Sequence, residues 1–126
     1  MTIMTQEVAN VATTIHQQIN IRTLMSLGAT ELHPTLEQSK TYRPGLAFTA
    51  RILPFTRDGE RGTRPRRMKV SITLDPSDTY TVAVTWTHGG KHHTHFLRSG
   101  VYADQLDTLL LALDYDGDTA VNPRLA

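Results

Sequence analysis

The chain has 126 residues, material for a single domain, and its 39% hydrophobic content with mean hydropathy −0.31 suits a water-soluble fold with a modest core. It has no cysteine, which excludes disulfides, a thiolate nucleophile and zinc–thiolate sites. The net charge of +1 conceals a split: residues 1–100 carry 12 basic and 7 acidic side chains, whereas residues 101–126 carry one Arg and five Asp.

Val8, Val11, Ala12, Ile15 and Ile19 recur at steps of three and four, with Leu24 or Met25 following, which predicts an N-terminal helix. Thr5 is its expected N-cap, Glu7 suits the dipole at its start, and Gly28 is its expected C′ residue. Residues 29–45 are polar and contain Pro34, Pro44 and Gly45, so a loop is expected there. The period then changes to two. Leu46, Phe48, Ala50 and Ile52 share one face of a first strand, ended by Pro54.

Met68, Val70, Ile72 and Leu74 form the inward row of a second strand, opposite Lys69, Ser71 and Thr73. The run Asp75–Pro76–Ser77–Asp78 is a type I turn signal, because proline presets φ at the second position. In the third strand Tyr80, Val82, Val84 and Trp86 alternate with threonine and alanine. Gly89-Gly90 fits a two-residue hairpin, since both central positions of a type I′ turn need positive φ. Residues 91–98 return as the fourth strand. Ser99 is the expected N-cap of a last helix whose stripe is Tyr102, Leu106, Leu109, Leu110 and Leu113.

The expected fold is a single α+β domain over residues 1–113, helix–four-stranded antiparallel sheet–helix (αββββα), with both helices on one face. Residues 114–126 are expected to form an acidic flexible tail able to fold back over the basic segment. No run of 18 apolar residues exists and the N-terminus MTIMTQEVANV has no signal-peptide pattern, so a cytoplasmic location is expected.

Three segments, SITLDPSDTYTV (71–82), SGVYADQLDTLL (99–110) and SLGATEL (26–32), together resemble small uncharacterised proteins encoded by phages and prophages. The resemblance covers about a third of the chain. It implies an accessory role in a phage-infected cell and brings no activity, cofactor or catalytic residue with it. The arginine-rich, histidine-rich and acidic segments lie outside it.

Residues 57–69, RDGERGTRPRRMK, place Arg57, Arg61, Arg64, Arg66, Arg67 and Lys69 against only Asp58 and Glu60. Rich in Gly and Pro between two strands, the segment reads as an exposed loop. Arginine forks suit phosphate, and these six are the candidate nucleic-acid or anion-binding residues. The plainer reading is a solvated loop, because no aromatic residue is interleaved for stacking on bases. Helix–strands–helix order also matches the double-stranded RNA-binding domain in outline, but Asp104 stands near the start of the last helix, where phosphate docking needs lysine.

His88, His92, His93 and His95 lie within HGGKHHTH. A two-residue turn pairs Lys91 with His88, His92 with Thr87, His93 with Trp86 and His95 with Val84. His93 and His95 would then share a face about 7 Å apart, a spacing for two metal ligands. Their neighbours Trp86 and Val84 supply no third ligand, so no metal is expected, and these two residues come nearest to a site. If a bulge or a longer turn shifts the parity, Phe96 turns inward with His92 and Thr94 while His93 and His95 face solvent; otherwise Phe96 is an exposed contact residue. Both arrangements are open from sequence.

Asp114, Asp116 and Asp118 mimic a calcium loop, but Thr119 and Leu125 hold the positions that require Gly and Glu. Asp75 and Asp78 are explained by their turn. No phosphate loop, zinc-protease or nucleophile-elbow motif is present. The expected function is therefore non-enzymatic: a phage-type accessory protein, without cofactor, binding a macromolecular partner such as a host machine or host-defence protein. The alternative is a nucleic-acid-binding module using residues 57–69. An exposed edge strand and the Tyr102/Leu helix face are the surfaces suited to a homodimer.

Overall fold

The computed structural model of the chain describes residues 6–37, 42–52 and 66–113. Helices α1 (Gln6–Gln18) and α2 (Ile21–Ser26) precede strands β1 (Thr30–Glu37), β2 (Arg43–Ile52), β3 (Arg66–Leu74), β4 (Tyr80–His88) and β5 (Lys91–Val101). A 3-10 turn (Ala103–Gln105) leads into α3 (Leu106–Ala112). The strands form one antiparallel sheet in sequence order. The fold is α+β as expected, but the sheet has five strands rather than four. Among the described residues no helix is long and apolar enough to cross a membrane.

The period-two pattern decides which face of the sheet is covered. Leu46, Phe48, Ala50 and Ile52 of β2 meet Ile72, Val70, Met68 and Arg66 of β3, so the apolar rows coincide across strands until Arg66. Val70 and Ile72 in turn face Val84 and Val82 of β4. These rows form one core with Ala12, Ile15 and Ile19, Leu24 and Leu27, and Leu106, Leu110 and Leu113. Each fully buried aliphatic or Phe side chain contributes about 1.5–3 kcal/mol by leaving water. Across the pleat, Thr49, Ser71, Thr85 and Thr94 lie on an open face.

The segment expected to be a loop contains β1, in which Leu32, Pro34 and Leu36 alternate with His33, Thr35 and Glu37. Proline is tolerated because β1 is an edge strand and pairs only with β2. A bulge between Thr30 and His33, with Glu31 at φ 59°, lets the chain enter the sheet from the helix. The expected first helix is also divided. Asn20 caps α2, its side-chain oxygen accepting from the Arg22 N–H at 2.8 Å. Leu24 is buried while Met25 is 73% exposed. Gly28, at φ 63°, closes α2 in a Schellman motif: Gly28 N–H donates to the Met25 carbonyl and Ala29 N–H to that of Leu24.

The last helix starts later than Ser99. Ser99 and Gly100 stay in β5 as a bulge opposite Thr81, with Gly100 at φ 69°, and the strand continues to Val101. Tyr102 then precedes the 3-10 turn, its N–H donating to Gln105 Oε1 at 3.0 Å. It is 60% exposed, so it does not belong to the buried stripe. Asp107 ties α3 to α2: its carboxylate accepts from Asn20 N–H at 2.8 Å and Thr23 Oγ1 at 2.9 Å.

Candidate functional site

Antiparallel pairing gathers charged side chains at both ends of the sheet. At the turn end, Asp78 N–H donates to the Asp75 carbonyl at 2.9 Å, as the type I turn requires, and Asp78 takes φ 67°. The Asp75 side chain does more than make a turn. It accepts from Thr81 Oγ1 at 2.7 Å and faces Arg43 Nε at 3.5 Å, while the Ser99 hydroxyl lies 3.2 Å from Thr81 Oγ1. This group bridges β2, β4, β5 and the turn on the open face.

At the hairpin end, Gly89 and Gly90 adopt φ 59° and 77° and form the expected two-residue turn. Lys91, His92 and His93 pair with His88, Thr87 and Trp86 as expected. Arg66 lies two residues before Met68 in the inward row of β3, which brings it to the Trp86 side of the sheet. Its guanidinium sits 4.7 Å from the Trp86 ring centre, and its Nη1 lies 3.4 Å from His88 Nδ1. On the β5 side His93 stacks on Trp86, with centroids 4.3 Å apart and planes 20° apart. His88 approaches the indole at 6.2 Å. Trp86 is half-buried and packs against the core, so the stack rests on a fixed platform.

Of the six candidate cations, Arg57, Arg61 and Arg64 lie outside the described residues, as do Asp114, Asp116 and Asp118 of the expected tail. Arg66, Arg67 and Lys69 belong to β3 rather than a loop, and the pleat divides them. Arg66 joins Trp86 on the inner face, whereas Arg67 and Lys69 project from the open face with Arg51 and His92. Arg67 meets Glu31 at 3.5 Å with both side chains exposed, a weak pair. Among the described residues no carboxylate lies within ion-pair distance of Arg51, Arg66, Lys69 or Lys91.

Trp86, His88 and His93 were not among the sequence candidates for nucleic-acid contact. The signal existed: counting back by two from Met68 places Arg66 on the inward row with Trp86. Treating 57–69 as a loop hid it.

The β5 register corrects both sequence alternatives. The bulge falls inside the strand, between the Thr94–Thr85 and Phe96–Val84 pairs, so His95 does not oppose Val84. His93 keeps its place on Trp86, and Phe96 nevertheless turns inward, half-buried against the core. Leu97, opposite Ala83, is 65% exposed on the open face. His95 instead lines a groove of about 720 Å³ between β5 and α3, with Phe96, Arg98, Val101, Leu109 and Leu113. Arg98 lies over the Phe96 ring at 5.4 Å. No group of three or more His, Asp or Glu suited to a metal ion occurs among the described residues.

Compared with known proteins, the chain matches no family model, no curated sequence and no solved structure.

Proposed function

We propose that the protein is a non-enzymatic accessory factor of phage type that acts by stoichiometric contact with a macromolecule, and that its partner at the hairpin end is nucleic acid. The observation that carries this reading is the Arg66–Trp86–His93 stack, set among cations of which Arg51, Arg66, Lys69 and Lys91 have no carboxylate partner among the described residues. An acidic protein surface would answer the cations as well; a nucleic acid also brings flat bases to the aromatic faces.

Fluorescence anisotropy of a labelled oligonucleotide at about 50 and 200 mM salt tests it. Micromolar binding that weakens steeply with salt is expected. Replacing Arg66, Arg67 and Lys69 together by Ala should weaken binding and flatten the salt dependence, each lost phosphate contact lowering the logarithmic slope by about 0.7–0.9. Binding that ignores salt, or no binding at the lower salt, rejects the proposal.

A further inference from the structure

We infer that the hairpin end selects single-stranded nucleic acid, taking an unpaired base onto the Trp86–His93 stack; this rests on the nucleic-acid reading above. Two planar rings 4.3 Å apart and 20° from parallel form a layered surface whose natural continuation is another flat ring. A duplex buries its base faces in its own stack, whereas a single strand can splay one out. The cations around the stack are placed for the backbone flanking such a base. Arg66 comes from β3, and Lys91 stands at the tip of the hairpin on the same face.

The two faces of this sheet end divide the work. Arg51, Arg67, Lys69 and His92 share the open face with Thr49, Thr85, Thr87 and Thr94, and none of these offers an indole or phenyl ring. That face can attract phosphate without distinguishing one strand from two. Discrimination therefore resides on the inner face. The indole is held there by the core beneath it, so little ordering is needed when a base arrives. A base entering from the β3 side displaces the Arg66 guanidinium from the ring towards the adjoining phosphate. Arg66 is exposed and free of carboxylate partners among the described residues, so that shift breaks no ion pair.

Trp86 is the chain's sole tryptophan, and its emission reports on the stack directly. The test titrates the full chain with oligonucleotides of about a dozen nucleotides, single-stranded or as the matching duplex, following label anisotropy and Trp86 emission together. The single strand should bind about tenfold more tightly than the duplex, with emission quenched in step with binding. His93→Ala, a change at a half-buried strand position, should weaken single-strand binding about tenfold while leaving duplex affinity and its salt slope in place. Trp86→Phe, checked for an unchanged fold by circular dichroism, should give an intermediate loss. Equal affinity for both forms with unchanged Trp86 emission overturns the stacking inference and leaves the nucleic-acid reading standing. Absence of binding to either form overturns both.

Discussion

The two ends of the sheet use polar residues for different purposes. At the turn end, Arg43, Asp75, Thr81 and Ser99 partner one another, and Thr73 and Thr81 are buried despite lying on the open face. At the hairpin end, Arg51, Arg66, Lys69 and Lys91 lack carboxylate partners among the described residues and stay exposed. Polar groups that answer one another inside the chain hold strands in register; cations left without an answer are available to another molecule. The turn end should therefore govern stability and the hairpin end binding.

The largest expected effect tests the first half. Gly45 pairs with Thr73, and a Cβ there would fall well inside contact distance of the Ile72 carbonyl oxygen and 2.8 Å from Thr73 Cα. Both are backbone atoms and cannot swing aside, so Gly45→Ala should destabilise the fold by about 3 kcal/mol in urea denaturation. A loss below about 1 kcal/mol would show that the β2–β3 approach is looser than the structure has it. Next comes Asp75→Ala, which removes the carboxylate that Thr81 and Arg43 share and should cost about 1–3 kcal/mol. An effect no greater than that of a surface substitution would remove the distinction between the two ends.

Tyr80, also at the turn end, should show a smaller and pH-dependent effect. Its hydroxyl donates to Gln18 Oε1 at 2.8 Å, and Tyr80→Phe should cost about 1 kcal/mol near neutral pH. Burial pushes the Tyr80 phenol above its ordinary value of 10.0, with the Asp78 carboxylate acting in the same direction. The folded state thus favours the neutral phenol. Its contribution is intact below pH 10 and is lost as pH rises through the folded-state value. Tyr80→Phe should flatten the alkaline fall in stability; an identical fall in both proteins would locate its cause elsewhere. The smallest effect on stability belongs to the hairpin end, where Arg66→Ala should change unfolding free energy by no more than about 0.5 kcal/mol. A larger loss would make the Arg66–Trp86 contact a structural one.

Much of the fold was legible because its period-two rows are long and marked by apolar residues. Met68–Leu74, Tyr80–Trp86 and both turns stand where their side chains place them. Strand β1 was hidden by Pro34, a residue that argues against a central strand and says little about an edge. The divided first helix was legible only in the step of five from Ile19 to Leu24, which departs from the helical spacing across the break at Asn20. For the candidate site, the cations were legible by composition. Their partner Trp86 was not, since it lies on another strand and meets Arg66 only through the β3–β4 register.

The alternating rows, the Asp75–Asp78 turn and the Gly89-Gly90 hairpin follow from the chain alone, because they depend on local backbone preference and on which residues leave water. Tertiary structure decided the β5 parity. A bulge at His95 changes sides within one strand, so His93 can meet Trp86 while Phe96 still reaches the core. Nothing local to residues 91–101 specifies that choice. It follows from the need to cover β4 with an aromatic side chain at both positions, a requirement that exists only once β4 and β5 are paired.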